Sequence, residues 1–348
     1  MKICLYTPIF YPYIGGIQTV VFLLANEFVK FGHDVTVVTE KKNNLKTTKM
    51  NNEYLRKYLF RFIITKSIFQ TKKIFQKQNI VLINTISLKA LPVVLLSGVK
   101  FFIIHHTHYY TGKGNFKFYV YIKAKISLFF KNITPSKFVH NIIGGRAKVI
   151  TNPYDDYIFK RNKVKKTKDF IFCGRLVSDK GADILLDAFS LVLKKYKKST
   201  LTIVGEGPEY HFLKNKADKI NLFNNINFIG SLYGQKLNNK FNEHYCMVVP
   251  SRNEAFGVVA LEGLATTQFV ITSNNGGLPE AINSCGQVVR GNYIELSKAM
   301  INFLTFKKKQ SKLKLTQHLD VCKKHLLKHR PRFVAQKYLD HITDKTNR

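Results

Sequence analysis

The 348-residue sequence has no tryptophan and is poor in acidic residues, with 21 Asp and Glu against 56 Lys and Arg. The formal net charge of +35 indicates an anionic partner, which can be a membrane surface, a nucleic acid or a phosphorylated substrate. Part of this excess is compositional, because the chain is rich in Lys, Asn, Ile and Phe throughout. Such a charge carries no information about the fold.

Cysteines and long apolar runs are also scarce. The five cysteines, at positions 4, 173, 246, 285 and 322, show no CxxC spacing, so we expect reduced, buried thiols and a cytoplasmic protein. Because Pro8 and Pro12 interrupt the apolar residues near the amino terminus, we expect no signal peptide there. Residues 88–104, the best candidate for a membrane span, contain charged residues, proline and glycine and are typical of helix, turn and strand instead.

The length and the 45% apolar content suit two domains of about 150 residues, each with its own core. The chain opens with a predicted strand over residues 2–7, a helix whose apolar face runs from Ile17 to Phe28, and a strand over 35–39. This βαβ unit predicts a parallel α/β sheet. Further strands are predicted over residues 80–83, 101–104, 148–150, 170–173, 201–204 and 246–249.

One strand–loop–helix segment carries most of the chemistry. An apolar strand over residues 246–249 is stopped by a Pro-Ser pair, and helical spacing of apolar residues begins at about Gly257. Glu254 then lies in the loop and Glu262 in the second turn of the helix, so both can face the crevice beyond the strand's carboxyl end. Carboxylates accept hydrogen bonds from vicinal hydroxyls, and the free N–H groups of the first helical turn suit a phosphate. The segment therefore predicts a nucleotide-sugar site.

Two glycine-bounded loops add to this prediction. Residues 174–181 follow a predicted strand and hold Arg175 and Lys180, which can both reach a diphosphate, Arg as a fork and Lys as a point charge. Gly15-Gly16 precedes the first helix, where the backbone can approach a ligand or simply make a tight connection.

Three histidines, His105, His106 and His108, follow the strand predicted over residues 101–104. Their position past a strand end suggests a catalytic or metal-binding role, with packing as the alternative. Zinc is disfavoured, because no Cys, Asp or Glu follows within the next forty residues.

These motifs resemble those of the retaining glycosyltransferases of family 4, which have the GT-B fold. The resemblance rests on Glu254-x7-Glu262 within PSRNEAFGVVALEGLA, on the GGLPEAI that follows, and on Gly-Arg-Leu-x-x-x-Lys-Gly over residues 174–181. It implies an α/β chain with two Rossmann-like domains facing across a cleft. The expected domains are residues 1–160 with the terminal helix 331–348 on the acceptor side, and residues 161–330 on the nucleotide-sugar side.

The resemblance also implies roles for individual residues. Glu254 and His106 are expected to contact the donor sugar and act in catalysis, His106 being the best match among the three histidines. The expected donor-binding residues are Gly16, Arg175, Lys180, Phe256, Gly257 and Glu262. One departure is Thr267-Gln268-Phe269, where the family usually has Gly-x-Pro. In the family this turn shapes the loop beneath the nucleotide, so the departure puts the base or sugar preference in doubt.

The expected reaction moves a sugar, with retention of configuration, from a nucleoside diphosphate sugar to a hydroxyl of a glycan or lipid-linked acceptor. Such a reaction would serve bacterial cell-surface polysaccharide or lipopolysaccharide biosynthesis. We expect no cofactor and no metal, since Arg175 and Lys180 can stabilise the leaving diphosphate. The alternatives are a nucleotide-sugar epimerase of the same fold and a non-catalytic protein that binds polyanions or membranes.

Residues 41–77 hold eleven Lys and Arg against the single acid Glu53, interleaved with aromatic and aliphatic residues at helical spacing. This pattern predicts a surface for an anionic membrane, with the protein peripheral at the cytoplasmic face. An amphipathic helix with a solvated basic face is the alternative. We expect no nucleic acid partner, because no recognised binding motif accompanies the charge.

Overall fold

The structure is a computed structural model and describes residues 1–11, 15–40, 58–87, 89–106, 122, 125–145, 147–222, 224–309 and 312–344. These residues form two compact units. The N-terminal unit takes in the described residues up to Asp155 and those from His329 onward, and the C-terminal unit takes in Asp156–Lys328.

Within its described residues, the N-terminal unit has a seven-stranded parallel sheet in the order β3-β2-β1-β4-β5-β6-β7. The strands are β1 Lys2–Tyr6, β2 Asp34–Glu40, β3 Arg61–Thr65, β4 Ile80–Asn84, β5 Lys100–Ile104, β6 Asn132–Thr134 and β7 Lys148–Val149. The helices are α1 Gly16–Lys30, α2 Ile68–Gln76, α3 Ala90–Leu95, α4 Lys137–Ile143 and the last helix of the chain, α12 Pro331–Thr343.

The C-terminal unit has a six-stranded parallel sheet in the order β10-β9-β8-β11-β12-β13 among its described residues. The strands are β8 Lys168–Cys173, β9 Leu201–Val204, β10 Ile226–Phe228, β11 His244–Val249, β12 Phe269–Ser273 and β13 Gln287–Val289. The helices are α5 Ala182–Lys195, α6 Tyr210–Lys219, α7 Gly234–Asn242, α8 Val258–Thr266, α9 Leu278–Ile282, α10 Tyr293–Lys309 and α11 Lys312–Leu327.

Apolar sequence runs explain the central strands of both sheets. Strands β1, β4 and β11 are buried along almost their whole length, as continuous apolar strands of a parallel sheet must be. Helices cover them, and α12 packs against α1. The Nζ of Lys100 donates to the carbonyl oxygen of Ile342 at 2.9 Å, which ties α12 to β5.

The strand order creates one switch point in each sheet. The chain runs outward from β1 to β3 and then returns to place β4 on the other side of β1, and it does the same around β8 and β11. Loops that leave two such neighbouring strands turn in opposite directions and open a crevice at the carboxyl edge, where open α/β sheets bind ligands.

The strands predicted from apolar runs are confirmed, as is the helix that begins at about Gly257. Residues 88–104 are helix, turn and strand, apart from Leu88, which is outside the described residues. All five cysteines are free, four buried and Cys173 half-buried. None of the described helices is long and apolar enough to cross a membrane.

The interpretation of residues 41–77 as one surface of helical spacing is wrong for its described part. Residues 61–65 are the edge strand β3, and only 68–76 are helical. Phe60 and Phe75 are buried, whereas Phe69 is exposed. Residues 41–57 are outside the described residues.

Two cations from the start of the C-terminal unit cap helix α8 at its carboxyl end. The guanidinium of Arg161 donates to the carbonyl oxygens of Leu264 and Thr267, at 2.7 and 3.0 Å. The Nζ of Lys166 donates to Thr266 at 3.0 Å, and burial lowers its pKa to about 8, with a smaller contribution from the charge of Arg161. Cations here satisfy the free carbonyl groups and suit the negative end of the helix dipole.

A fully buried histidine sits at the start of β11. Nδ1 of His244 donates to the carbonyl oxygen of Lys240 at 2.7 Å, so Nε2 accepts from the hydroxyl of Thr202 at 2.8 Å. Burial lowers the pKa of His244 from 6.5 to about 4, and the bond to Lys240 opposes this. The folded protein therefore keeps this ring neutral.

We predict that His244 makes the protein sensitive to acid. Between pH 6.5 and 4 the unfolded imidazole binds a proton that the folded one does not, so the free energy of unfolding falls as the pH drops through this window. The loss is on the order of 3 kcal/mol. Denaturant unfolding at pH 7 and pH 4 measures it for the wild type, for His244→Gln, and for exposed His211→Gln as the control. An equal loss in wild type and His244→Gln contradicts the prediction.

Candidate functional site

The crevice between β8 and β11 holds an ion pair. Lys180 lies in the loop after β8 and Glu254 in the loop after β11, and their Nζ and Oε2 atoms are 2.5 Å apart. The two side chains keep 29% and 17% of their surface exposed. A ligand that enters this crevice from solvent therefore meets both charges.

Arg175 precedes Lys180 in the same loop and is exposed. Its side chain makes no hydrogen bond or ion pair with any residue that the structure describes. Its planar guanidinium is therefore free to bind an anion in the bidentate manner that suits phosphate.

Glu262 lies in the second turn of α8, as predicted. Its charge acts on the thiol of Cys173, the last residue of β8. Burial raises the pKa of Cys173, the negative charge of Glu262 raises it further, and the positive charge of Lys180 lowers it. Glu262 and Lys180 are thus brought to the same strand end, next to Glu254.

Helix α8 begins at the site without a side-chain cap. Its N-cap, Gly257, has a left-handed backbone with φ of 101°, and a Cβ there would contact Leu278. The first-turn N–H groups are the partners that a phosphate needs. Phe256 precedes this cap, and its side chain is buried in the core, so that any contact of Phe256 with a donor is through its backbone.

Arg252 is a site residue that the sequence analysis missed. It forms a bidentate pair with Asp183 at 2.7 and 2.6 Å and donates to the carbonyl oxygen of Ser178 at 2.6 Å. Burial raises the pKa of Asp183, but the hydrogen bonds and charge of Arg252 outweigh it and leave this pKa below its usual value. The backbone N–H of Arg252 also donates to Asp179 at 2.8 Å. Arg252 thereby joins the loops that carry Lys180 and Glu254.

Glycines bring these loops into direct backbone contact. Gly181 has φ of 68°, and a Cβ there would collide with the carbonyl oxygen of Pro250. Gly276, with φ of 66°, lies in the same way against the carbonyl oxygen of Glu254, which also accepts from the N–H of Gly277 at 2.9 Å. The conformation of the Glu254 loop is therefore set by the loop after β12.

In the N-terminal unit, the predicted residues that the structure describes lie at the carboxyl edge of the sheet, after β1 and β5. Gly16 is the first residue of α1, whose N-cap is Gly15 without a side-chain cap, and residues 12–14 of that loop are outside the described residues. His105 and His106 follow β5, and each bonds an asparagine side chain. His108 falls in a part of the chain that the structure leaves undescribed.

The Thr267-Gln268-Phe269 turn lies elsewhere than we expected. It follows the carboxyl end of α8 and leads into β12, so it is at the amino edge of the sheet. The hydroxyl of Thr267 lies 2.8 Å from the carbonyl oxygen of Gly263 in α8 and 2.9 Å from that of Phe269, and its single hydrogen is shared between them. A direct effect of this turn on the crevice at the opposite edge is therefore not supported.

Two family models match the chain. Residues 14–155 match the model described as Glycosyltransferase Family 4, and residues 153–316 match Glycosyl transferases group 1. An uncharacterised glycosyltransferase of Methanocaldococcus jannaschii is 29% identical over 288 residues, which cover 79% of each chain. A phosphatidylinositol N-acetylglucosaminyltransferase component of Arabidopsis thaliana is 21% identical over 309 residues, or 81% of this chain and 69% of that protein.

Solved structures agree with this result at the level of the fold. Anabaena Alr3699/HepE was solved in complex with UDP and glucose and also with UDP-glucose. Both structures superpose on this chain with a TM-score of 0.79 and 16% sequence identity, over 99% of this chain. The match covers 100% of the chain in the first structure and 99% in the second. The chain is a GT4-like glycosyltransferase with the GT-B fold. Its two parallel sheets are the two Rossmann-like α/β domains of that fold.

We predict that Gly276 is required for the placement of Glu254 in this glycosyltransferase. Gly276→Ala adds a left-handed strain of about 1 kcal/mol and a collision with the carbonyl oxygen of Glu254. Gly32→Ala is a matched control, because Gly32 also has a positive φ, of 83°, but open space around its Cβ position. We expect a several-fold larger loss of unfolding free energy for Gly276→Ala in denaturant titrations. Equal losses in the two variants contradict the collision.

Proposed function

We propose that this glycosyltransferase moves a sugar from a nucleoside diphosphate sugar to an acceptor hydroxyl with retention of configuration. The observation that carries the proposal is the Lys180–Glu254 ion pair at the switch point of the C-terminal sheet, beside the exposed cation of Arg175. A cation suits the diphosphate and a carboxylate suits the sugar hydroxyls, so adjacent groups of opposite charge match the two halves of such a donor.

A uridine nucleotide is the donor class with most support. The similar Anabaena protein was solved with UDP and with UDP-glucose, and this chain has the cations that a diphosphate requires. In the proposed complex Arg175 and Lys180 bind the diphosphate, and Glu262 binds the ribose. Backbone groups at Gly257 and Gly16 approach the donor phosphates, and His106 contacts the sugar, as the family resemblance implies.

The proposed step breaks the bond between the anomeric carbon and the diphosphate oxygen and forms a bond to the acceptor oxygen on the same face of the sugar. The acceptor's proton passes to the leaving diphosphate. Lys180 and Arg175 stabilise the negative charge that develops there, and Glu254 stabilises the positive charge on the sugar ring. These two cations supply charge that a metal would otherwise provide, so the proposal needs neither a metal nor a cofactor.

We predict that the charges of the Lys180–Glu254 pair are needed for donor use and not for folding. With EDTA present, Lys180→Met and Arg175→Ala should each weaken UDP binding about tenfold or more, since a hydrogen bond to a charged group contributes about 1.5–3 kcal/mol. Glu254→Gln and Glu262→Gln should reduce turnover of UDP-glucose strongly. Calorimetry measures binding, and proton NMR of the product measures both turnover and anomeric configuration.

Lys216→Met is the control for this experiment. Lys216 forms an ion pair of 2.6 Å with Asp187 in the same unit, on helices α6 and α5, and its loss should leave UDP binding unchanged. Activity that disappears with EDTA and returns with magnesium contradicts the metal-free proposal. An inverted product contradicts retention, and an isomerised nucleotide sugar without transfer favours an epimerase. No turnover with any nucleotide sugar favours a non-catalytic binding protein.

The acceptor is proposed to be a glycan or lipid-linked glycan at an anionic membrane surface. Between Glu53 and Asp155 the sequence contains no acidic residue, so all charged side chains in the described part of this stretch are basic. The carboxyl end of the edge strand β3 and the start of α2 expose Ile64, Ile68 and Phe69, the last of them by 80%. Exposed apolar side chains among lysines suit the interface of an anionic bilayer.

This surface lies at the catalytically relevant edge of its own sheet. Parallel strands place their carboxyl ends together, so the start of α2 is at the same edge of the N-terminal sheet as Gly16 and His106. The relative from Arabidopsis is named for a phosphatidylinositol substrate, which supports a lipid-borne acceptor. A role in bacterial cell-surface polysaccharide or lipopolysaccharide synthesis, at the cytoplasmic face of the membrane, follows from the same proposal.

We predict that Ile68→Ser with Phe69→Ser weakens binding to anionic vesicles. Replacement of Lys66, Lys72 and Lys73 by Gln should do the same, since each cation near an anionic bilayer contributes about 1 kcal/mol. Phe212→Ser is the control, because Phe212 is a similarly exposed aromatic residue of the C-terminal unit.

Sedimentation with vesicles that contain phosphatidylglycerol, against vesicles of phosphatidylcholine alone, measures the effect. High salt should release the protein. Equal partition to both vesicle types, or binding that none of these substitutions changes, contradicts the membrane surface, and displacement by duplex DNA favours a nucleic-acid partner.

A further inference from the structure

Asn84 is the last residue of β4 and is fully buried at the switch point of the N-terminal sheet. Its Nδ2 lies 3.2 Å from the carbonyl oxygen of Tyr6, at the end of β1, and 3.5 Å from that of Leu82. Carbonyl oxygens only accept hydrogen bonds, so the NH2 end of the amide must face them. The other end, Oδ1, is therefore turned toward His106.

This orientation decides which nitrogen of His106 carries the hydrogen. Oδ1 of Asn84 lies 2.9 Å from Nε2 of His106 and can only accept, so Nε2 is the protonated nitrogen. Burial, with a smaller contribution from the charge of His105, lowers the pKa of His106 to about 3, so the ring is neutral at physiological pH. Nδ1 then carries a lone pair.

Nδ1 of His106 has no hydrogen-bond partner in the part of the chain that the structure describes. A buried acceptor without a partner is unusual, and it marks a place where a ligand can supply the missing hydrogen. A neutral ring protonated on Nε2 accepts at Nδ1 and cannot donate there. It therefore pairs with a hydroxyl or N–H group and disfavours a carboxylate or phosphate oxygen.

His105 provides an internal comparison. Its Nε2 lies 2.8 Å from Oδ1 of Asn132, whose Nδ2 donates to the carbonyl oxygens of Ser127 and Phe130. The same reasoning gives His105 the same protonated nitrogen. His105, however, is completely buried, whereas His106 retains 9% of its surface. The two neighbouring histidines are thus oriented in the same way, and of the two it is His106 that keeps part of its surface exposed.

We propose that Asn84 is a positioning residue that holds His106 protonated on Nε2, so that Nδ1 accepts a hydrogen bond from a hydroxyl of a sugar substrate. The inference rests on the proposed function, since that function brings a sugar to this transferase. To the proposed function the inference adds that His106 accepts the hydrogen bond from the sugar, and that Asn84 is the residue that determines this direction.

The first test needs no substrate. In protein with 15N-labelled histidine, two-bond 1H–15N correlations identify the protonated nitrogen of each ring, and His106→Gln assigns the signal. At neutral pH we expect His106 to carry hydrogen on Nε2 and none on Nδ1. Hydrogen on Nδ1, alone or on both nitrogens, overturns the proposal, whether or not the protein turns over any donor.

The second test compares Asn84→Leu with Asn132→Leu, two substitutions of similar volume that each remove one accepting oxygen. Asn84→Leu should let His106 populate the form protonated on Nδ1 and lower kcat/KM for UDP-glucose about tenfold. Asn132→Leu should change only the His105 signals and leave kcat/KM within about twofold. An equal loss in both variants, or an altered His106 tautomer without any loss of activity, overturns the functional part.

The same kinetics identify the source of the hydroxyl. Slower hydrolysis of UDP-glucose without acceptor assigns it to the donor sugar, and unchanged hydrolysis with slower transfer to a glycan assigns it to the acceptor. If the wild type neither binds nor hydrolyses UDP-glucose or another nucleotide sugar, the proposed function fails, and the NMR result decides the tautomer separately.

Discussion

The loops at the carboxyl edge of the C-terminal sheet touch one another backbone to backbone, and the candidate site depends on this contact. At four glycines in the loops after β8, β9 and β12, a Cβ atom would collide with a carbonyl oxygen of the backbone. Such contacts leave no room for side chains between the loops, so their relative positions are fixed more firmly than side-chain packing alone would fix them. The four are Gly181 against Pro250, Gly205 against Gly174, Gly207 against Leu176, and Gly276 against Glu254.

This constraint explains why two opposite charges meet in the crevice. Lys180 and Glu254 are carried by loops that Gly181 and Arg252 join, so their side chains lie within reach of each other. A site arranged in advance pays little ordering entropy when it binds. Among the described residues of the site, the exposed Arg175 is the one whose side chain lacks such support.

Local sequence patterns predicted the strands and helices of the site well. They failed where a strand and a helix follow each other within one short segment. The strand and helix around Glu254 and Glu262 follow from apolar runs and a glycine, which are local signals. Residues 61–76 contain a strand, in which side chains repeat every two residues, and a helix, in which they repeat every 3.6 residues. In the sequence the two patterns run together and resemble one basic amphipathic surface.

Contacts between distant parts of the chain could not be predicted from spacing. The pair of Arg252 and Asp183 depends on β8 and β11 becoming neighbours, which is a property of strand order and not of local sequence. The bond of Asn84 to His106 has the same origin, because β4 and β5 are adjacent. An asparagine at a strand end carries no signal by itself. A comparison of polar residues at the carboxyl ends of strands predicted to be neighbours could have identified Asn84 as a partner of His106.

The capping of α8 bears on how such enzymes can be recombined. Arg161 and Lys166 come from the start of the C-terminal unit, yet they neutralise the far end of the helix that carries Glu262. A chimaera joined after Lys166 would give this helix the cap of a foreign linker. A junction placed before Arg161 lets the helix keep its own cap, and exchange of the unit between related enzymes is then best made at Asp155–Asp156, where the chain passes from one unit to the other.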